Sequence, residues 1–200
     1  FSVSGSELSI TSAGVLTFAS APDYETKSSY SATITATDGT NSTTQSVTVN
    51  ITNVNEAPTF TSSASFSADE NQTSIGSVTA NDVDSSVTFS VSGSELSITS
   101  AGVLTFASAP DYETKSSYSA TVTVTDGALS ASQSITVTVN NLNDNSPAFT
   151  SSATFSAAEN QTTAGTVAAS DADGNSITYS ISGTDASSMA INSSSGALTF

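Results

Sequence analysis

The sequence contains no cysteine, histidine, arginine or tryptophan. Without cysteine the chain forms neither disulfide bonds nor thiolate metal sites. Without histidine it lacks the commonest general base. Lys27 and Lys115 carry all of the positive side-chain charge against 18 acidic residues, which gives a net charge of -16. A field of this sign disfavours nucleic acid and anionic membrane surfaces as partners and attracts cations.

Long apolar runs are also missing, and none approaches the roughly 20 residues that cross a bilayer, so we expect no direct membrane insertion. The first residue already lies inside a strand-like pattern, and we therefore interpret the chain as part of a longer polypeptide. Hydrophobic residues make up 36 % of the sequence, and they alternate with serine and threonine. Such alternation predicts strands with one apolar face, hence an all-β fold. Four aromatic residues are expected in the core: Phe18, Tyr30, Phe106 and Tyr118.

The sequence repeats itself. Residues 1–39 match residues 89–127 with two differences, so that 37 of the 39 positions are identical. Self-similarity at a fixed spacing is typical of tandem structural units. We predict the back part of one repeat in residues 1–56, a complete repeat in residues 57–145 and the front part of a third in residues 146–200.

The complete repeat reads as about seven short strands separated by turn signals, which favours a sandwich of two antiparallel sheets. The Ser/Thr face of each strand is interpreted as solvated. The expected strands are Ala64–Ala68, Ser77–Ala80, Val87–Ser92, Leu96–Thr99, Val103–Phe106, Ser119–Thr125 and Gln133–Asn140.

All but four of the 18 acidic residues lie in five short motifs, each of which occurs twice. The motifs are Glu-Asn, Asp-x-Asp, Asp-Tyr-Glu, Asp-Gly and a carboxylate shortly before a linker proline. Acids that merely solvate a surface would not concentrate in this way. The motif acids are Glu70 and Glu159; Asp82, Asp84, Asp171 and Asp173; Asp23, Glu25, Asp111 and Glu113; Asp38 and Asp126; and Glu56 and Asp144.

Oxygen ligands without histidine or cysteine select a hard cation. Ca²⁺ takes six to eight oxygens from carboxylates, amides and carbonyls, whereas Mg²⁺ keeps more water. A pair of carboxylates is also the catalytic apparatus of glycosidases. Because the same acids recur in every repeat, we expect a structural role and no enzyme activity.

Simpler interpretations of these residues are open. Asn and Asp in the hinge Asn141–Asn145 are usual turn formers. Asp38 and Asp126 precede glycine. An alternative interpretation is that they form hairpin turns and bind no metal. The Asp-Tyr-Glu acids can form a turn that pairs with Lys27 or Lys115. Three further acids are interpreted as solvated loop residues: Glu7, Glu95 and Asp185.

The order of the motifs, ending in Asn-x-Asn-Asp-Asn-x-Pro-x-Phe, resembles the cadherin repeat over the whole chain. The Ser/Thr-rich, near-identical copies look like bacterial cadherin-like arrays. The resemblance implies an immunoglobulin-like Greek-key β-sandwich with Ca²⁺ bound at the junctions between repeats. At the second junction the implied ligands are Glu70, Asp111, Glu113, Asn143, Asp144, Asn145, Asp171 and Asp173. At the first junction they are Asp23, Glu25, Asn55, Glu56, Asp82, Asp84 and Asp126.

The resemblance assigns Asp38 and Glu159 to junctions beyond these two. The first linker departs from the family pattern, because Glu56 replaces aspartate and the last asparagine is absent. We therefore expect the second linker, which keeps Asn145, to bind more Ca²⁺ than the first.

The expected function is that of a calcium-rigidified extension segment in a large extracellular or cell-surface adhesin or fibre. Its expected partners are calcium ions and neighbouring repeats of the same chain, with self-association as a further prospect. The alternative is a module of a secreted protein that binds polysaccharide or another protein through its Ser/Thr face or its loops. A glycan array on a two-repeat fragment separates the two hypotheses.

Overall fold

The computed structural model describes residues Phe1–Phe200 and consists of β-strands, turns and one short 3₁₀ helix at Ala186–Ser188. The prediction of an all-β fold is confirmed. Serine and threonine alternate with valine and isoleucine along the long strands, so that one face of each strand is apolar. None of the helical structure is long and apolar enough to span a membrane.

Residues 1–60 form a three-stranded sheet and a hairpin. The sheet has the order β1-β4-β5, and the hairpin pairs β2 with β3. Strands β4 and β5 pair antiparallel from Ser29↔Asn50 to Thr37↔Ser42. The strands of this part are β1 (Ser2–Val3), β2 (Leu8–Ile10), β3 (Leu16–Phe18), β4 (Ser29–Thr37), β5 (Ser42–Asn50) and β6 (Thr59–Phe60).

The complete repeat carries two larger sheets. One has the order β10-β13-β14-β7, and the other has the order β11-β12-β8. Strand β7 pairs parallel with β14, whereas β12 pairs antiparallel with both of its neighbours. The strands are β7 (Ser65–Asp69), β8 (Ser74–Ser77), β9 (Ala80–Asn81), β10 (Thr88–Val91), β11 (Leu96–Ile98), β12 (Val103–Phe106), β13 (Ser117–Thr125) and β14 (Ser130–Asn140).

One predicted strand is wrong. The sequence suggested a single strand over Ser77–Ala80, but β8 ends at Ser77 and β9 begins at Ala80. Strand β8 pairs with β12, and β9 pairs with β6, so the chain changes sheets between them. Val78 lies at this change, is 1 % exposed and donates its N–H to the carbonyl of Gly102 at 2.8 Å. A buried apolar residue between two short strands therefore mimicked one continuous strand.

Most of the buried apolar side chains belong to the complete repeat, and Leu8 on β2 is the exception. Val122, Val137 and Leu104 are fully inaccessible, as expected for the apolar faces of β13, β14 and β12. Phe106, 2 % exposed, stacks edge-on against Tyr118 with ring centroids 5.0 Å apart. Phe18 and Tyr30 repeat this geometry at 5.1 Å. The four aromatic residues therefore contact each other in pairs, but only Phe106 is buried, and Phe18, Tyr30 and Tyr118 are partly exposed.

The third part of the chain repeats some of these elements in shorter form. Strand β15 pairs with β17, and the sheet order β16-β19-β18 corresponds to β8-β12-β11 of the complete repeat. The strands are β15 (Ala148–Phe149), β16 (Thr163–Thr166), β17 (Ala169–Ser170), β18 (Ala190–Ile191) and β19 (Ala197–Thr199).

The chain divides into two compact units that do not follow the sequence repeats. Each linker lies within one unit together with the acidic residues around it. Unit 1 consists of Phe1–Phe60, Ala80–Thr88 and Val124–Ala131, and unit 2 consists of Thr61–Thr79, Phe89–Thr123 and Ser132–Phe200.

Candidate metal-binding sites

Glu70 is the anchor of the site in unit 2. It follows β7 directly and is the only charged side chain that is buried, with 2 % exposure. Its carboxylate accepts the backbone N–H of Tyr112 and the backbone N–H of Leu142, each at 2.7 Å. These two bonds hold the Asp-Tyr-Glu loop and the start of the linker against the end of β7.

The Asp-Tyr-Glu loop is a turn that is stabilised by hydrogen bonds to Asp111. The Asp111 carboxylate accepts the hydroxyl of Thr114 at 2.9 Å, and the Asp111 carbonyl accepts the N–H of Lys115 at 2.9 Å. The bond from Thr114 lowers the pKa of Asp111. In this conformation oxygens of Glu70, Asp111 and Glu113 come within 4.8 Å of one another. The turn is therefore both a local structure and the frame of a three-carboxylate cluster.

A second cluster in unit 2 shares Glu113 with the first. Here oxygens of Glu113, Asp144 and Asp173 lie within 4.8 Å of one another. Partial removal from water raises the pKa of Glu113, and the negative charges of Glu70 and Asp173 raise it further. The amide of Asn145 has the opposite effect on Asp173, because its hydrogen bond lowers the pKa of that carboxyl.

The side-chain amide of Asn145 lies at the centre of this second cluster. Its nitrogen is 2.8 Å from Asp144 Oδ1, 3.0 Å from Asp173 Oδ1 and 3.3 Å from Glu113 Oε2. An amide nitrogen carries two protons, so it cannot satisfy three carboxylate oxygens fully. At least one of these carboxylate oxygens therefore lacks a full hydrogen bond from the amide, and the neutral amide leaves the charge of the cluster uncompensated.

The site in unit 1 is built from the equivalent carboxylates. Oxygens of Glu25, Glu56 and Asp84 lie within 4.8 Å of one another. The amide of Asn53 donates to Asp84 at 2.8 Å and is the main reason why the pKa of Asp84 is lowered. Partial desolvation, followed by interactions with Asp84, raises the pKa of Glu56. Desolvation, again with a contribution from the Asp84 charge, raises the pKa of Glu25.

Asp82 is not a member of this cluster, but one of its oxygens has no hydrogen-bond partner. Its Oδ1 accepts the N–H groups of Asp84 and Ser85 at 2.9 and 2.8 Å, and these bonds fix the Asp-x-Asp turn. Its Oδ2 is buried and makes no hydrogen bond. Burial of a carboxylate oxygen without a donor is unfavourable, so a positively charged ligand would complete its environment.

The two Asp-Gly acids differ in their partners. Asp126 accepts the N–H groups of Ala128 and Leu129, each at 2.6 Å, and also the amide of Asn55 at 2.6 Å. The bond from Asn55 is the first cause of the lowered pKa of Asp126. Asp38 accepts only the N–H groups of its own turn. Asp126 is thus a turn former that also contacts the first linker, whereas Asp38 is a turn former alone.

Several predicted ligands lie outside the three clusters. Asp23 caps its own turn by accepting the hydroxyl of Thr26 at 2.9 Å. Asp171 accepts the N–H of Asn175 at 3.2 Å. Asn143 makes no side-chain hydrogen bond, and Glu159 is exposed.

Three asparagines that were not among the expected ligands donate hydrogen bonds to residues of the clusters. Asn53 donates to Asp84, Asn71 donates to Asp144, and Asn141 donates to the carbonyl of Asp173 at 3.1 Å. Each follows or precedes a motif acid in the sequence. The recurrence of asparagine beside the repeated acids was the available signal.

The lysines do not pair with the Asp-Tyr-Glu acids. Lys27 binds Glu7 at 2.6 Å and Lys115 binds Glu95, and each ammonium lies over a tyrosine ring. Glu7 and Glu95 are exposed and lie outside the strands, as expected for solvated loop acids, and each also forms an ion pair with a lysine. The carboxylate clusters receive no positive charge from the side chains of this protein. Their donor set consists of oxygens only, which suits a hard divalent cation.

Comparison with known families and structures agrees with this architecture. Residues 55–140 match the sequence model of the family described as Bacterial Ig domain. No curated protein sequence matches the chain significantly. Many solved structures share the fold.

Three of these structures are extracellular cadherin repeats. Repeats EC3–6 of protocadherin gammaB7, in a cis-dimer structure, are 27 % identical with a TM-score of 0.77, and the match covers 99 % of this chain and 57 % of that chain. Mouse cadherin-23 EC22–24 is 24 % identical with a TM-score of 0.72 and coverage of 99 % and 74 %. Human protocadherin-24 EC1–2 is 25 % identical with a TM-score of 0.61 and coverage of 73 % and 77 %.

The chain therefore consists of cadherin-like repeats with an immunoglobulin-like β-sandwich fold, as the ordered motifs predicted. It spans about half the length of the protocadherin gammaB7 chain that it matches. Repeats of this fold are structural modules, and the fold supports a role in adhesion or as an extension element.

Proposed function

We propose that the carboxylate clusters bind Ca²⁺ and that this binding fixes the angle between successive repeats. The segment would then act as a calcium-stiffened extension rod in an extracellular or cell-surface adhesin or fibre. The observation that carries the proposal is the surroundings of Asn145. One amide nitrogen lies within 3.3 Å of carboxylate oxygens from the complete repeat, the linker and the next repeat.

The proposed ligands at the second linker come from three parts of the chain. Glu70, Asp111 and Glu113 supply oxygens from the complete repeat, Asp144 supplies one from the linker, and Asp173 supplies one from the next repeat. Bound Ca²⁺ would supply two positive charges and a preference for six to eight oxygen ligands. The Asn145 amide can turn its oxygen towards such a charge. Because these ligands belong to three parts of the chain, binding would be lost if the repeats moved apart.

The same residues explain why the metal-free hinge should be loose. Two unit charges 4 Å apart repel by about 1 kcal/mol in water-like surroundings. Partial desolvation is the first cause of the raised pKa values of Glu113, Glu56 and Glu25, and the charges of neighbouring carboxylates raise them further. Opening the hinge separates these charges, so without a cation the repeats should move relative to each other.

The free energy involved is of the right size for a hinge. Extracellular calcium modules bind with Kd values of about 10⁻⁴ to 10⁻³ M. At about ten times Kd, one site contributes roughly 1.4 kcal/mol. Several coupled sites would bias a hinge strongly. Their combined free energy is small beside that of the apolar burial that holds each sandwich together.

The test is small-angle X-ray scattering of a protein extended to three whole repeats, with 5 mM CaCl₂ and then with excess chelator. We expect the maximum dimension to fall and the scattering to become that of a flexible chain when Ca²⁺ is removed, while the far-ultraviolet circular dichroism stays nearly constant. Asp144→Ala should reproduce the chelator effect at its own linker only.

Asp185→Ala is the matched control, because Asp185 belongs to no repeated motif, and it should leave the scattering unchanged. Calorimetry must also show heat of Ca²⁺ binding. The proposal is wrong if no Ca²⁺ binds, if the chain stays stiff in chelator, or if the repeats unfold outright. Sedimentation of the same samples tests whether the chain self-associates, as protocadherin gammaB7 does in its cis-dimer structure.

A further inference from the structure

Asn71 and Asn160 are the only residues other than glycine with a positive φ, at 63° and 65°. Each follows the glutamate of a Glu-Asn motif. The left-handed conformation disfavours most L-residues by about 1–2 kcal/mol, and asparagine tolerates it best. The same unusual conformation therefore occurs at both copies of the motif, and at Asn71 it lies directly beside Glu70 of the proposed calcium site.

The left-handed turn at Asn71 changes the direction of the chain as it leaves β7. Glu70 still bonds to the neighbouring strand, since its N–H donates to the carbonyl of Asn140 at 3.2 Å. One residue later, the N–H of Asn71 donates to the carbonyl of Pro110 at 3.0 Å. Glu70 and Asn71 thus connect the end of β7 to two different segments, the last strand of the repeat and the loop that carries Asp111.

The side chain of Asn71 makes a separate contact. Its amide nitrogen donates to Oδ2 of Asp144, while the Asn145 amide donates to Oδ1 of the same carboxylate at 2.8 Å. Asp144 belongs to the cluster with Glu113 and Asp173. Asn71 is outside that cluster, and its amide contacts Oδ2 of one of the members, whereas Asn145 contacts Oδ1.

We propose that Asn71 is a positioning residue, which holds the Asp144 carboxylate in the orientation that lets its other oxygen bind Ca²⁺. This inference rests on the calcium-binding function proposed above. A residue of this kind acts through the ligand that it holds, as hydrogen-bond partners behind metal ligands generally do. The left-handed backbone places its amide over the linker, and the short side chain reaches Asp144 and no further.

The first linker offers a comparison within the same chain. Glu56 occupies the position of Asp144, and its backbone N–H donates to Asp84 Oδ2 at 2.8 Å, just as the N–H of Asp144 donates to Asp173 Oδ2 at 3.1 Å. This backbone contact is therefore common to both linkers. The contact of the Asn71 amide with the Asp144 carboxylate is additional to it.

The experiment uses calorimetry with CaCl₂ on the complete 200-residue chain and on the variant Asn71→Gly. Glycine keeps the positive φ and removes only the amide. We expect the Ca²⁺ affinity of the second linker to fall by about 10-fold, which is the lower end for such partners. Asn160→Gly makes the same change in the third repeat, away from the cluster, and should leave the affinity unchanged. The melting temperature of each variant in chelator reports any purely structural effect.

A double-mutant cycle with Asp144→Asn tests whether Asn71 acts through Asp144. We expect Asn71→Gly to have little further effect on Ca²⁺ affinity once Asp144 is changed. If Asn71→Gly weakens binding equally in both backgrounds, or binds Ca²⁺ as tightly as the unchanged chain, the positioning role is wrong while the calcium function stands. If the unchanged chain binds no Ca²⁺, the proposed function fails and this inference fails with it.

Discussion

Glu70 should be needed for the fold of the second linker region even when no metal is present. It is a buried carboxylate that accepts two backbone N–H groups, those of Tyr112 and Leu142. The variant Glu70→Gln keeps the size of the side chain. Its amide has one carbonyl oxygen for one of these donors and presents an N–H₂ group to the other. One backbone N–H therefore loses its acceptor.

The size of the effect follows from this lost bond. Leaving a buried donor without an acceptor costs about 1–3 kcal/mol, and the lower half applies because both N–H groups are only partly buried. For a domain of 60–100 residues each kcal/mol lowers the melting temperature by about 4–8 °C. We therefore expect a decrease of about 4–16 °C.

Two conditions isolate this effect. The melts are recorded by circular dichroism in chelator, so that calcium does not contribute. They are recorded in 1 M NaCl, where the screening length is about 3 Å, because removing the charge of Glu70 also relieves its repulsion of Glu113. Glu159→Gln is the matched control, since Glu159 occupies the same motif but is exposed. It should change the stability by less than about 0.5 kcal/mol. Equal melting temperatures for the two variants would refute the reasoning.

Three further predictions concern charge and backbone conformation. The pKa of Glu113 is raised in the folded chain, so its protonation favours the folded metal-free state. Melts in chelator should therefore show slightly higher stability as the pH falls from 7 to 5. Calorimetry over the same pH range should show weaker Ca²⁺ binding, because the protonated carboxyl is a poorer ligand. Lys115→Met removes an exposed ion pair with Glu95 and should cost less than about 1 kcal/mol in denaturant titrations, with unchanged Ca²⁺ affinity. Gly102→Ala should destabilise the chain more than Gly127→Ala in the same titrations. A Cβ at Gly102 would lie 2.2 Å from a backbone oxygen. Gly127 faces open space, so alanine there would cost only the left-handed strain of about 1–2 kcal/mol.

The sequence was sufficient for the fold because the fold depends on short-range patterns. Alternation of apolar and hydroxylated residues predicts which side of β13 and β14 is buried, and Val122 and Val137 are indeed inaccessible. The repeated acids predicted only part of the set of residues that gather near the linkers. Glu25, Glu56 and Asp84 come together in this way, although they are up to 59 positions apart in the chain.

Other features depend on contacts that a linear pattern does not contain. The division of one expected strand into β8 and β9 depends on which neighbouring strand each half meets, and Val78 is apolar in either case. The partners of the lysines were missed because Glu7 lies 20 positions before Lys27, on a part of the chain that only the tertiary fold brings close. The role of Asn71 was hidden for a similar reason, since its amide contacts a carboxylate 73 positions away.

The near-identity of the repeats makes the linkers the natural place for functional variation. Glu25, Glu56 and Asp84 in unit 1 occupy the same repeat positions as the cluster of Glu113, Asp144 and Asp173 in unit 2.

The first linker is one residue shorter and lacks an asparagine at the position of Asn145. The three carboxylates around it still converge. The additional methylene of Glu56 extends the reach of the linker carboxylate, and Asn53 donates to Asp84 where Asn145 donates to Asp173. An alternative set of side chains thus forms the same arrangement of charge. Because the apolar core lies elsewhere, the linkers can change in length and sequence without altering the sandwich that they join.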